Sequence, residues 1–314
     1  MARAVGWAVA FLVGPCVALT AQELQQTDVV FQGVSNASAA VAIGADQVLV
    51  ADDDDNRLRL YDVAGGAPKR VFDWSGELPS TGRNREADIE GAARIGDRIY
   101  WLGSHSRDKD GDLRPHRRRF FATDLITDAA GVALRPAGRP CAALLDELLR
   151  TEPARRLGLV EASRLSPDHG GLNFEGLARR VEGGLWVGVR SPLAGKEAIL
   201  VPLLNPDDIL AGAPPRFGEP VLLDLDGRGV RDLVLVDQSL YLIGGGAGSG
   251  RASRLYRWSP GGKQPQRLTL SLEKFNAEAV VAYDVGASPR LLLLADEGGQ
   301  SNSRGTFRGR WFAP

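Results

Sequence analysis

Acidic side chains open several apolar runs that lie far apart in this 314-residue chain. They are Glu90 in Asp88-Ile89-Glu90-Gly91, Glu175 in Asn173-Phe174-Glu175-Gly176, Asp232 in Arg231-Asp232-Leu233, and Glu278 in Asn276-Ala277-Glu278. Asn173 and Asn276 each precede a Glu by two, so in a strand, where side chains alternate, both members of the pair point the same way. Carboxylate and amide oxygens are hard donors and suit Ca²⁺ better than Zn²⁺. Carboxylates brought together repel one another, and a cation relieves this. Glu90, Glu175 and Glu278, with Asn173 and Asp232, are therefore candidate ligands of a divalent cation, with Ca²⁺ the first choice. The alternative is structural: each acid caps a turn or bonds backbone amides between neighbouring units.

The stretch Gly103-Ser104-His105-Ser106-Arg107 leaves another strand-like run, and Arg114, His116, Arg117, Arg118 and Arg119 follow soon after. A histidine beside arginines can bind or protonate a phosphate or carboxylate oxygen. Arg190, in Gly188-Val189-Arg190-Ser191-Pro192, holds the corresponding place in a later segment. His105 and Arg190 are the candidate catalytic residues, and Ser104, Arg107 and Arg119 the candidate substrate contacts. The competing reading is a solvated basic loop. No nucleophile elbow surrounds Ser104, so a serine triad is not expected. Residues 52–56 and 108–112 are acidic runs, either of which could hold Ca²⁺, but each reads first as a solvated turn; the second resembles the start of a calcium loop but lacks the closing Glu. The glycine-rich residues 244–250 lead into a strand rather than a helix, so they are a connection and not a phosphate loop.

What brings distant acids together is a repeat. Five segments share one order: an apolar run, a turn, a second strand-like run, a polar loop and a third run, often followed by a fourth. The second runs, such as Gln47-Val48-Leu49-Val50-Ala51 and Arg290-Leu291-Leu292-Leu293-Leu294, are nearly continuous apolar stretches, as inner strands are. The anchors Ser38, Glu90, Glu175, Asp232 and Glu278 are 52, 85, 57 and 46 residues apart. Propeller blades repeat every ~40–50 residues, and the 85-residue interval contains an insertion. There, at 139–165, Leu144, Leu145, Leu148 and Leu149 follow Pro140 at helical spacing, giving either a lid or a decorative excursion. The fifth segment lacks a fourth strand, which residues 27–32 would supply. The expected fold is an all-β, five-bladed propeller, with four to six blades allowed, closed by its N-terminal strand and carrying a short helical insertion.

The first residues read as an export signal: Arg3, a short apolar stretch, then Val17-Ala18-Leu19-Thr20-Ala21 ending in small residues. The expected division is a signal peptide at 1–21 and a single propeller domain at 22–314, secreted or held in the periplasm. No segment is apolar over the ~20 residues a membrane span needs. With 38 Lys and Arg against 39 Asp and Glu, the net charge of −1 gives no basic field to draw nucleic acid. A monomer is expected. Once Cys16 leaves with the signal, Cys141 is alone, which excludes an internal disulfide or a cysteine metal cage.

Asp88-Ile89-Glu90-Gly91, Tyr100-Trp101-Leu102-Gly103-Ser104-His105-Ser106-Arg107, and Asn173-Phe174-Glu175-Gly176-Leu177-Ala178 with Gly188-Val189-Arg190-Ser191-Pro192 resemble a bacterial family known as domain of unknown function 3616. That resemblance implies export and the repeat rather than a reaction. A weaker likeness is to propellers with esterase, phytase or lactonase activity, where a first-strand Glu followed by Gly helps hold an axial divalent cation. It maps onto Glu90 and Glu175; Asp232 and Glu278 lack the glycine. The expected function is an exported propeller binding a small anionic or ester substrate at its axial channel, as a metal-dependent hydrolase. The alternative is a non-catalytic propeller that binds an envelope protein or glycan.

Overall fold

Twenty short strands alternate with turns along the chain, and hydrogen bonds gather them into five antiparallel four-stranded sheets. The computed structural model describes residues 28–78, 86–246, 252–283, 289–297 and 305–314. The expected signal segment lies outside the described residues. The first strand, β1 (Asp28–Gln32), precedes blade one, which holds β2 (Ala37–Ile43), β3 (Gln47–Asp52), β4 (Arg57–Asp62) and β5 (Arg70–Asp73). Blade two holds β6 (Ile89–Ile95), β7 (Arg98–Gly103), β8 (Phe120–Asp128) and β9 (Gly131–Pro136). Blade three holds β10 (Asn173–Arg179), β11 (Leu185–Ala194), β12 (Glu197–Leu203) and β13 (Val221–Leu223). Blade four holds β14 (Gly229–Val236), β15 (Ser239–Gly245), β16 (Arg254–Trp258) and β17 (Gln266–Arg267). Blade five holds β18 (Ala277–Tyr283), β19 (Arg290–Ala295) and β20 (Thr306–Phe312), and β1 pairs with β20 as its fourth strand.

The first strand of every blade touches the first strands of its two neighbours, from β2 through β6, β10, β14 and β18 back to β2. The five-bladed propeller read from the sequence is therefore the fold. Period-two alternation explains why the inner strands are apolar throughout. In β3, Val48 and Val50 pack toward blade five, while Leu49 and Ala51 pack toward blade two. Five such cores separate the blades. β9 is not legible as a strand in the sequence, because only Val132 of its mixed residues is buried.

The insertion forms three short helices, α1 (Leu144–Arg150), α2 (Glu152–Arg156) and α3 (Leu159–Ala162). Leu144, Leu145 and Leu148 enter the core between blades two and three, together with Ala154, Leu159 and Ala162. The insertion is thus a packed wall and not a free lid. Among the described residues no helix is long and apolar enough to cross a membrane.

Closure rests on β1. Phe31 is fully buried, stacked on Phe307 at 4.8 Å and edge-on to Tyr61 at 5.4 Å. Asp28 pairs with Arg310 at 2.6 Å and Arg308 at 3.0 Å. The outer edge of β1 is bonded by Gly66, whose N–H donates to Val30 O and whose carbonyl accepts Gln32 N–H, so no open edge remains there. Phe31→Ala should cost about 3–5 kcal/mol in urea unfolding, against less than about 0.5 kcal/mol for the exposed neighbour Val30→Ala. Equal effects would show that the ring does not depend on this strand.

Candidate functional site

Each inner strand carries a β-bulge at the same level. The register with the second strand breaks between Ala37 and Ala39, Ile89 and Gly91, Phe174 and Leu177, Val230 and Asp232, and Ala277 and Ala279. The bulged residues are Ser38, Glu90, Glu175, Arg231 and Glu278, and a bulge re-aims the side chain it carries. Two of them are followed by glycine for a steric reason. A Cβ on Gly91 would stand 2.9 Å from the carbonyl carbon of Gly176, and one on Gly176, whose φ is +82°, 2.8 Å from Cα of Asp232. The inner strands of adjacent blades leave no room for a side chain there.

Around the axis three of the bulged side chains, Glu175, Arg231 and Glu278, form an ion network. Glu175, 2% exposed, accepts from Arg190 Nη1 at 2.6 Å and Asn173 Nδ2 at 2.9 Å, and Arg231 Nε lies 3.6 Å from its other oxygen. Arg231 Nη1 donates to Glu278, which also accepts from Asn276 Nδ2 at 3.0 Å. Glu175 and Glu278 are therefore neutralised by arginines rather than waiting for a cation. Asp232 is not the fourth member of the set; Arg231 is. The bulge turns Asp232 between inner strands, where it accepts Val280 N–H at 2.8 Å, and burial holds its carboxyl well above the usual range.

Glu90 is different. Its carboxylate meets those of Asp53, at the end of β3, and Asp88, just before β6, all three within 4.8 Å of one another. Burial pushes Asp53 up to about 8, reinforced by the neighbouring charge of Asp88. Burial also raises Asp88, against the pull of Arg117, and raises Glu90 strongly, with Glu175, Asp88 and Asp53 adding repulsion. These carboxylates open on a cavity of about 520 Å³ whose wall also includes Asn173, Arg107, Arg117, Arg190 and Asp168. Pro167 is the one apolar wall residue among those described. Arg117 pairs with Asp88 at 3.1 Å and donates to Ser106 Oγ at 3.2 Å. Asp53 Oδ1 and Asn173 Oδ1 are buried acceptors without a donor among the described residues. Oxygen acceptors that lack donors fit a cation.

The histidine loop sits elsewhere than expected. His105 does not line the cavity: it is 3% exposed, has φ +56°, and lies against Phe174 with ring centroids 5.3 Å apart. Its Nδ1 donates to Gly103 O at 2.9 Å, and burial lowers its pKa to about 4. A neutral, enclosed imidazole cannot trade protons at the mouth. Ser104 is fully buried; its carbonyl accepts Phe174 N–H and joins blades two and three. Arg107 does line the cavity, tied to Ser163 O at 3.0 Å and Gly111 O at 2.9 Å. Arg119 does not; its guanidinium donates to the carbonyls of Pro115 and Arg118.

Asp53, Asp88, Arg117 and Arg231 were missed as site residues. A signal existed: Asn36-x-Ser38, Asp88-x-Glu90, Asn173-x-Glu175, Gly229-x-Arg231 and Asn276-x-Glu278 align at one spacing, which places Asp88 beside Asn173 and anchors the fourth unit at 231. Asp53 had none. The residues beside it are the turn caps that the sequence suggests, with Asp52 accepting Asp54 N–H and Asp55 pairing with Arg59.

The family described as protein of unknown function (DUF3616) matches residues 143–289. The resemblance read from the sequence is thereby shown. The match takes in the insertion, blades three and four and the start of blade five; the Asp88 and His105 stretches lie ahead of it. Among solved structures, the chain is similar to the major allergen Mala s 1 of Malassezia sympodialis, with 12% identity, 91% of this chain and 96% of that one covered, and a TM-score of 0.49. It is also similar to the glutaminyl cyclase of Myxococcus xanthus, with 10% identity, 92% and 98% covered, and a TM-score of 0.47. The virginiamycin B lyase of Staphylococcus aureus gives 7% identity, 86% and 82% covered, and a TM-score of 0.40. No curated protein matches the sequence.

Because folded His105 binds its proton only near pH 4 while the unfolded residue does so near 6.5, its contribution is complete above pH 6.5 and lost as pH falls toward 4. Between pH 7 and 4 the wild type should lose about 3 kcal/mol more unfolding free energy than His105→Asn, a replacement that tolerates the left-handed backbone. Parallel pH profiles in denaturant titrations would refute the buried neutral ring.

Proposed function

We propose that the axial mouth binds a divalent cation, Ca²⁺ first, through Asp53, Asp88 and Glu90. Beside it, the mouth takes a small anionic or ester substrate, the protein acting as an exported metal-dependent hydrolase of phosphoesters or carboxylic esters. The observation that carries this reading is the three raised carboxylates within 4.8 Å, facing a polar cavity that Arg117 and Arg190 also line. A cation bound there would polarise a substrate oxygen or lower the pKa of a water. Arg190 is held by Glu175 and by Gly246 O at 3.3 Å, and Arg117 by Asp88 and Ser106, so both guanidinium groups are fixed in place to receive an anionic oxygen. A nearly wholly polar wall suits a small hydrophilic substrate.

The second reading is a non-catalytic binding propeller for an envelope protein or glycan. The position of His105 favours it, since no histidine lines the cavity among the described residues.

With Asp53 raised to about 8 when folded and near 3.8 when unfolded, the metal-free protein should lose stability as pH climbs from about 4 to 8, and Ca²⁺ should restore it. At a hundredfold excess over Kd the gain is about 2.7 kcal/mol. Thermal melts at pH 8 in Ca²⁺ and in chelator should separate for the wild type and coincide for Asp88→Asn and Glu90→Gln. Coincident wild-type melts would overturn the cation site. If Ca²⁺ binds but the wild type turns over neither esters nor phosphoesters, the binding reading stands instead.

A further inference from the structure

A second cavity, of about 640 Å³, lies in blade four and is walled by residues that the axial mouth does not use. Arg228 precedes β14, residues 252–254 lead into β16, and residues 267–273 run on from the end of β17. In an antiparallel blade these are all at the end where the inner strand starts, so the cavity opens on the same face as the axial mouth. Its wall carries Arg228, Arg254 and Arg267 with the hydroxyls of Ser253 and Thr269, against the single carboxylate of Glu273.

The local bonding holds Arg228 and Arg254 in place, the second of them paired with a carboxylate. Arg228 is 6% exposed, and its Nε and Nη1 donate to the carbonyls of Ala252 at 3.1 Å and Asp226 at 3.2 Å. Arg254 pairs with the Asp226 carboxylate at 2.5 Å, and the same oxygen accepts the Tyr256 hydroxyl at 2.9 Å. Those two bonds hold the Asp226 carboxyl below its ordinary range, Tyr256 contributing first. Arg267 stands opposite Tyr256 in the ladder, and Leu268 N–H to Leu255 O carries that register onward. Arg254 and Arg267 are then diagonal cross-strand neighbours about 7–8 Å apart, within reach of one ligand by long side chains. Counting Asp226 with Glu273, the three arginines leave one net positive charge at the cavity for an anion to match. Planar guanidinium forks match the oxygens of a tetrahedral anion.

We propose that this cavity binds a tetrahedral oxyanion, either inorganic phosphate or the phosphate of a phosphomonoester, between Arg254 and Arg267 and above Arg228. It is a site separate from the axial mouth and independent of any cation there.

The test is calorimetric titration of the full chain with inorganic phosphate and with glycerol 3-phosphate, at constant ionic strength and in chelator. Saturable one-to-one binding is expected. Arg267→Ala should weaken it about tenfold, the loss of one charge-assisted contact, and Arg267→Glu should abolish it. Arg267 is exposed, so both variants should fold, which an unchanged melt confirms. Tighter binding of the ester assigns an esterified ligand, and equal binding the free ion. The proposal is overturned by the absence of saturable binding, by binding that survives Arg267→Glu, or by binding lost in Arg190→Gln instead, which would place the phosphate at the axial mouth.

Discussion

Adjacent inner strands come so close that glycine is required at Gly91 and Gly176, and the bulges one residue earlier drive their side chains toward the axis. Everything at the axial mouth follows from that crowding. Charges delivered to a narrow, poorly solvated space must be paired, neutralised by protons or matched by a bound ion, because burial of an isolated charge is too costly. Blades three to five use the first solution, with Arg190 on Glu175 and Arg231 between Glu175 and Glu278. Blades one and two do not. There Asp53, Asp88 and Glu90 face one another with Arg117 as the one ion-pair partner among the described residues, and burial and mutual repulsion raise their pKa values.

The asymmetry is functional in form. A fully paired ring would be a structural plug, and a fully acidic one would be unstable without metal. One half paired and the other half acidic leaves a rigid base beside a demanding pocket. Asp232 shows the structural half at its simplest: a buried carboxyl that accepts the Val280 amide and ties blade four to blade five. Ser38 does the same between blades one and two, donating to Ile89 O at 2.6 Å.

The sequence disclosed the ring more readily than the pocket. Strand runs such as Gln47–Asp52 and Arg290–Ala295 are legible because burial on both faces demands unbroken apolar residues, and the blade period follows from their spacing. The N-terminal closing strand was legible from the missing fourth strand of the last unit. Side-chain direction at a bulge was not, because one inserted residue shifts which neighbour faces the axis, and this exchanges Arg231 for Asp232. His105 was misplaced for a related reason. A left-handed residue after β7 folds the loop back, so the ring enters the core against Phe174 instead of reaching the mouth. Asp53 belongs to a run of four aspartates in which only three-dimensional position separates a site residue from a turn cap.

The helical insertion completes the asymmetry. Its apolar face is bound into the core between blades two and three, and Arg107 ties α3 to the histidine loop through Ser163 O. Pro167 and Asp168, just after α3, thereby become fixed parts of the cavity wall. A wall held by buried leucines keeps its shape whether or not a ligand is present, so the pocket is preorganised on that side. In the proposed reading, selectivity at the mouth would come from charge placement on rigid strands rather than from closure over a ligand, in keeping with a cavity walled almost entirely by polar groups.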